Sequence, residues 1–458
     1  MPLGMLGGVS SEAPAEPRWA EAIAECRDVL AGLIAIDTSN PPGNEIHAAR
    51  YLDAILAREG IECRTFEPAP GRGNLVARLK GSGRLRPLLL LGHLDVVGVE
   101  RERWTSEPFR MAERDGYYYG RGVIDDKGMV AAEALTLMLL KRLGVPLERD
   151  IILLAECDEE AGGTDGVRWM LDRHREAIDA EFAINEGGRT TLENGRVTYV
   201  GVQSSEKRGI NYTLIATGTS GHASMPRLDN AIAALARAIP RATEPFPVEL
   251  TLDTRRFFET IAKHEPPELR SAMEQLADPA RRKAAGAVVS HDLMYNAMLR
   301  NTVSPTVLKG GFRSNVIPET AEVTLNVRLL PGADPDAFRA ELERRIADPA
   351  VRVTFHPPSR PEAPSVPFDG PVIDAVRRVV ARVTPGADVV PLLSTGATDS
   401  AQLRSAGISA YGLLPLPLTS RDAARMHGSD ERMPIESLGT GLKLLYGVAL
   451  EIATGRTH

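Results

Sequence analysis

The chain has 458 residues, a formal net charge of −7, 43% hydrophobic residues and 25% charged residues. That length suits about two to three domains with sizeable cores, and the composition is that of an ordinary globular protein, not a disordered or fibrous one. A mildly acidic balance with no basic block argues against a nucleic-acid binder, and no apolar run reaches the roughly 18 residues of a membrane span.

Residues 1–17 are rich in Gly, Ser, Ala and Pro, with neither a basic n-region nor an apolar h-region. They read as a disordered arm, not a secretory signal. Cys26, Cys63 and Cys157 are an odd set without metal spacing. They fit reduced thiols and a cytoplasmic location.

From Trp19 to about Gly60 the pattern is helical, broken by the loop signal Asn40-Pro41-Pro42-Gly43. Short apolar runs at Asn74–Leu79, Pro87–Leu91, Ile151–Ala155 and Phe182–Ile184 predict buried strands. Between them, Gly128–Leu143 carries Ala132, Leu135, Leu139 and Leu143 along one helical face, and Asp165–His174 predicts another helix. Strands alternating with helices imply an α/β domain with a central, mostly parallel sheet.

The pattern changes in the middle. Gly209–Thr217, Val303–Gly310, Glu322–Leu330 and Val351–Phe355 read as strands, with helices at Asn230–Ile239 and Asp336–Ala347. That order predicts an inserted α+β domain, a ferredoxin-like sandwich, over 207–363. Pro247–Arg300 sits inside it as a charged, mainly helical stretch, and Pro357–Pro367 reads as a proline-rich hinge. The α/β pattern then resumes with a helix at Val372–Val383, strands at Asp388–Leu392 and Ala410–Gly412, and a helix at Ile435–Gly455. The larger domain thus comprises 18–206 and 364–458.

Polar residues follow the predicted strands. His93 and Asp95 come after the second, Glu159 and Glu160 after the third, Glu186 after the fourth. Asp125 and Asp126 lie in the glycine-flanked loop Gly120–Gly128. Open α/β sheets gather ligands outside the carboxyl ends of their strands, so these groups converge at one edge. Negative charge at that density calls for a cation. Imidazole with carboxylates suits zinc, with cobalt or manganese as alternatives, and a bridging carboxylate suits a metal pair. Singly, each piece has a plainer reading: His93 as a histidine oriented by an acid, Glu159–Glu160 as a solvated loop.

The phrases Gly92-His93-Leu94-Asp95-Val96-Val97, Gly120–Gly128, Asp158-Glu159-Glu160, Asn185-Glu186-Gly187-Gly188 and Met426-His427-Gly428 together resemble the zinc-dependent aminoacylase/carboxypeptidase/succinyl-diaminopimelate desuccinylase metallopeptidase family. The nearest-looking branch is that of Gly-Xaa carboxypeptidases and N-acyl amino-acid hydrolases. The resemblance implies two zinc ions per subunit. His93, Asp125 and Glu186 would hold one; Asp125, Glu160 and His427 the other. It implies Glu159 as general base, Asp95 as the residue orienting His93, and a cis peptide in the Asp125 loop. It makes the inserted domain a lid and dimerisation domain. There, His222 would stabilise the oxyanion from the partner subunit or in cis, Asn315 would stand nearby, and Arg328 would grip a substrate carboxylate. Gly396 and Thr398 are further pocket candidates. Without the resemblance, His222 reads as a surface loop residue, Arg328 as an exposed strand arginine, and Gly396 with Thr398 as a turn.

The implied activity is hydrolysis of an amide beside a free carboxylate, in a small peptide. An N-acyl amino acid is the alternative substrate, and a non-catalytic binding protein on the same fold the remote one. The implied partners are that substrate and a second copy of the chain, with neither nucleic acid nor membrane.

Overall fold

The computed structural model describes residues 16–356 and 362–455. The expected N-terminal arm lies outside the described residues save 16–17, as do residues 357–361 of the expected hinge.

A ten-stranded sheet forms the larger body. Its centre is parallel: Ile151–Glu156, Leu88–His93, Phe182–Asn185 and Ser409–Gly412 lie side by side. Leu88 to Leu91 and Ile151 to Leu154 are fully buried. Such unbroken apolar runs suit strands covered on both faces. Antiparallel strands flank this centre, Asn74–Leu79 and Glu62–Phe66 on one side and the Arg189–Glu193/Arg196–Glu206 hairpin on the other. The sheet is therefore mixed, parallel where the site lies.

Helix Lys127–Arg142 is buried from Lys127 to Leu140, not along one face only. Helices Trp19–Ile34 and Ile435–Thr454 pack on its outer side, which makes it a core helix. The opposite face of the sheet is covered by Val167, Met170, Ile178 and Leu403.

Only Lys207 separates the long strand Arg196–Glu206 from Arg208–Thr217, the first strand of a second sheet. That sheet is antiparallel, in the order Thr302–Gly310, Thr320–Leu329, Arg208–Thr217, Val351–His356. Helices Ala231–Thr243 and Pro335–Ile346 cover one face. This is the strand–helix–strand–strand–helix–strand order of a ferredoxin-like sandwich. Strand Thr320–Leu329 alternates buried and half-buried residues, the period-2 pattern of a sheet open on one side.

The helical stretch expected within this sandwich packs elsewhere. Helices Leu252–Ile261, Pro267–Gln275, Arg282–Val289 and Leu293–Met298 share an apolar cluster with Tyr199, Val390, Leu392 and Leu393 of the large sheet. The strand Asp388–Ser394 lies at the side of Arg196–Glu206, and these helices keep its apolar residues from water.

Cys26, Cys63 and Cys157 are unpaired. Among the described residues no helix is long and apolar enough to cross a membrane.

Candidate metal centre

His93 ends its strand beside Glu156 of the next. From these neighbouring strand ends the Glu159–Glu160 turn and Glu186 reach the same edge. Asp125 enters from the loop before helix Lys127–Arg142, through a cis Asp125–Asp126 peptide. His427 arrives from far along the chain. Its Nε2 lies 3.0 Å from Asp125 Oδ2 and 3.2 Å from Glu160 Oε1, while His93 Nε2 lies 3.0 Å from Asp125 Oδ1. Donor atoms of His93, Asp125 and Glu186 fall within 4.8 Å of one another, as do those of Asp125, Glu160 and His427. Asp125 belongs to both groups, one oxygen toward each imidazole.

The donor set fits divalent cations. Glu160 Oε1 is buried and faces His427 Nε2. Burial, with the negative charges of Glu159 and Asp125, pushes the Glu186 carboxyl well above the usual carboxylate range. Hydrogen bonds to Asp125 and Glu160 push the His427 imidazole up to about 10. A divalent cation among these donors would balance the same charge.

Asp95 has two jobs. His93 Nδ1 donates to its backbone carbonyl at 2.9 Å, which fixes the tautomer and leaves Nε2 free to ligate. The carboxylate stands farther from that nitrogen, at 3.5 Å. Its oxygens accept the backbone N–H groups of Glu159 and Glu160 at 3.2 and 3.1 Å. One buried carboxylate thus ties the turn bearing both glutamates to the His93 strand.

Two further networks escaped sequence reasoning. Asp158, with φ of 74°, accepts Arg72 Nη2 at 2.9 Å, Asn40 Nδ2 at 3.2 Å and the N–H groups of Thr164 and Asp165. Asn40 also donates to Asp95 at 2.8 Å, so the Asn40-Pro41-Pro42-Gly43 loop braces the glutamate turn. On the other side, Glu431 accepts Arg121 Nη1 at 2.6 Å and the N–H groups of Gly122, Ile124 and Asp125. Arg121 Nη2 donates to the carbonyls of His427 and Gly428. This pair locks the Asp125 loop to the His427 turn. Glu431 stands four residues past His427, close enough in sequence to have been considered with it.

The centre opens into a cleft of about 1240 Å³ between the two sheets. Glu159, Glu160, Glu186 and His427 line it from the larger body, and Asn326 and Arg328 from the smaller. Arg328 is half-buried, its Nε donating to Asn326 at 3.1 Å. Gly209 is opposite; a Cβ there would meet the guanidinium at 3.1 Å, so glycine keeps that space open.

Gly396 and Thr398 line the cleft as well. The Thr398 hydroxyl donates to Glu206 at 3.0 Å. His222 and Asn315 are exposed and sit on a small ribbon, where the Ala223 N–H donates to the Asn315 carbonyl. Neither is among the described residues that line the cleft.

Residues 89–451 match the profile described as Peptidase family M20/M25/M40. Human N-fatty-acyl-amino acid synthase/hydrolase PM20D1 is 30% identical over 375 residues, 79% of this chain and 73% of the relative. Mouse aminoacylase-1 is 27% identical over 435 residues, 92% of this chain and 93% of the relative. Among solved structures, an M20 family metallo-carboxypeptidase from Sulfolobus solfataricus superimposes with a TM-score of 0.71 at 19% identity, covering 94% of this chain and 100% of that one.

Proposed function

The chain belongs to peptidase family M20/M25/M40, whose members are metallopeptidases and amidohydrolases, and from that premise we propose a dinuclear zinc hydrolase that cleaves an amide beside a free carboxylate. The observation that carries this reading is the pair of three-residue donor groups sharing Asp125 at the floor of a cleft that also holds Glu159 and Arg328.

His93, Asp125 and Glu186 hold one ion, and Asp125, Glu160 and His427 the other. Mixed imidazole and carboxylate donors suit zinc, with cobalt or manganese as substitutes. When bound, two such ions supply a nucleophile from water near neutral pH and polarise the scissile carbonyl. Glu159 is the general base: its carboxylate takes the proton of the attacking water and returns it to the departing amine. Its backbone N–H on Asp95 keeps it in register with Glu160. The Arg328 fork holds the substrate carboxylate, and Gly396 and Thr398 shape the wall beside it.

His222 and Asn315 act across a homodimer formed through the inserted domain, the His222 imidazole of the partner subunit donating to the developing oxyanion. Two observations support this. Both residues lie away from the lining of their own cleft, and Met225, Leu228, Ile232, Leu308 and Phe312 of the same domain are exposed apolar side chains. The three unpaired thiols fit a reducing compartment, the cytoplasm.

The substrate is a small peptide with a free C-terminus, as for a carboxypeptidase or dipeptidase. A second reading, an N-acyl amino acid, is favoured by the names of the two relatives described above. Elemental analysis, followed by hydrolysis of dipeptides and N-acyl amino acids with and without chelator, tests both. The expected result is about two ions per chain and chelator-sensitive cleavage of one class. Protein that neither binds metal nor cleaves either class after addition of zinc, cobalt or manganese would refute the proposal.

A further inference from the structure

Arg189 follows Glu186 by two glycines. Gly187 and Gly188 have φ of 90° and 76°, and a Cβ at Gly188 would meet the carbonyls of Gly201 and Gly412 at 2.6 Å. This tight turn leaves Glu186 and Arg189 lining the same cleft.

The other strong cations of the cleft already have oxygen partners. Lys207 donates to the carbonyls of Ala297 and Arg300 and to Thr302 Oγ1, at 2.9, 2.8 and 3.0 Å. Arg208 pairs with Glu362 at 3.3 Å. Arg328 is assigned to the carboxylate beside the amide. Arg189 is placed differently. Its Nη1 rests on the Met294 sulfur at 3.1 Å and its Nη2 on the Ser420 hydroxyl at 3.3 Å. Its Nε is buried with no acceptor. Among the described residues no carboxylate stands within ion-pair distance of it, although Glu193 and Asp292 line the same cleft. A thioether is a weak acceptor and a hydroxyl a neutral one. A guanidinium partly withdrawn from water on such partners lacks a counter-charge.

We propose that Arg189 forms an anion subsite of the cleft, so that the preferred substrate carries a second carboxylate besides the one bound by Arg328. The inference rests on the hydrolase reading for its meaning as substrate selection. Met294 touches Arg189, and Leu418 and Ala423 line the same cleft; these apolar groups suit a short methylene spacer between amide and acid. The second carboxylate can stand on the acyl half or on the amino-acid side chain; the chemistry at Arg189 is the same.

Matched substrates separate these arms. N-glutaryl-leucine is compared with N-pentanoyl-leucine, and N-acetyl-glutamate with N-acetyl-glutamine. The expected result is a KM lower by about tenfold for the acidic member of one pair, and that pair tells which half carries the charge. Arg189→Met abolishes the difference and leaves the neutral member's KM unchanged. Arg189→Lys keeps part of it, as a point charge without the fork. Equal KM values within both pairs, or a preference that survives in Arg189→Met, would overturn the subsite.

Calorimetric titration of the metal-free protein with glutarate gives a readout that needs no turnover. Glutarate bound more weakly by Arg189→Met than by the unaltered protein supports the subsite even if no amide is cleaved, and only the hydrolase reading then fails. Equal affinity in both overturns the subsite.

Discussion

At the scale of single residues, Glu159 and Glu160 are adjacent carboxylates to which the proposed mechanism gives different work. Both backbone N–H groups rest on Asp95; Glu160 lies 3.2 Å from His427 and shares a donor group with Asp125. Glu159→Gln therefore keeps both ions and loses about 10²–10⁴-fold in kcat, the span of a general base. Glu160→Gln loses one ion. Elemental analysis beside steady-state kinetics distinguishes them, and wild-type turnover in Glu159→Gln would remove that residue as the base. Arg328 is the proposed binding residue. Arg328→Ala raises KM about 10- to 100-fold for substrates with a free carboxylate, the loss of a charge-assisted pair. Substrates amidated at that carboxylate should not tell the two enzymes apart; a penalty of equal size on them would mean that the guanidinium holds the protein, not the substrate.

At the scale of elements, the Arg121–Glu431 pair couples the Asp125 loop to the His427 turn, and both side chains are almost fully buried. Removing one partner of such a pair strands the other charge and costs about 3–5 kcal/mol. Arg121→Met should show that loss in urea unfolding with chelator present in both samples, so that bound metal does not mask it. A change of a few tenths of a kcal/mol would mean that the three backbone N–H groups suffice for Glu431. This pair also marks where sequence reading stopped. The central strands were plain because unbroken Leu and Ile runs have few other uses, and the residues following them pointed to one edge. The Arg189–Glu193/Arg196–Glu206 hairpin was not plain. Gln203, Ser204 and Ser205 are buried polar residues; Gln203 Nε2 donates to Glu206 and both serine hydroxyls to Asp253, contacts that no periodicity reveals. Helix Lys127–Arg142 showed one apolar face in sequence because Glu133 and Thr136 interrupt the rest, although both are buried. The metal-donor residues stood out through order and resemblance. Their braces did not, since Arg72 with Asp158 and Arg121 with Glu431 join residues 86 and 310 positions apart.

At the scale of the molecule, the cleft is closed by two sheets joined through Lys207, and the residue expected to meet the oxyanion is missing from its lining. His222 is exposed on the ribbon Gly221–His222. The outer edge of strand Thr302–Gly310 is unpaired among the described residues, and Leu308 and Phe312 are 68% and 78% exposed at its end. Ile232 lies against Gly310 and Gly311, which joins the helix to that edge. An open edge beside apolar side chains is a natural seat for a second copy. For the proposed dimer, Phe312→Glu with Leu308→Glu is expected to shift light scattering from dimer to monomer and to remove most of kcat while both ions stay bound. Complementation then decides whether His222 acts across the interface. Glu159→Gln and His222→Ala are each expected to be nearly inactive as homodimers. In a mixed dimer with exchange across a two-fold interface, one site combines an intact Glu159 with the intact His222 of the other subunit. Random co-assembly therefore restores about a quarter of wild-type sites. If His222 served its own cleft, every site in the mixture would lack one group, and no activity would return.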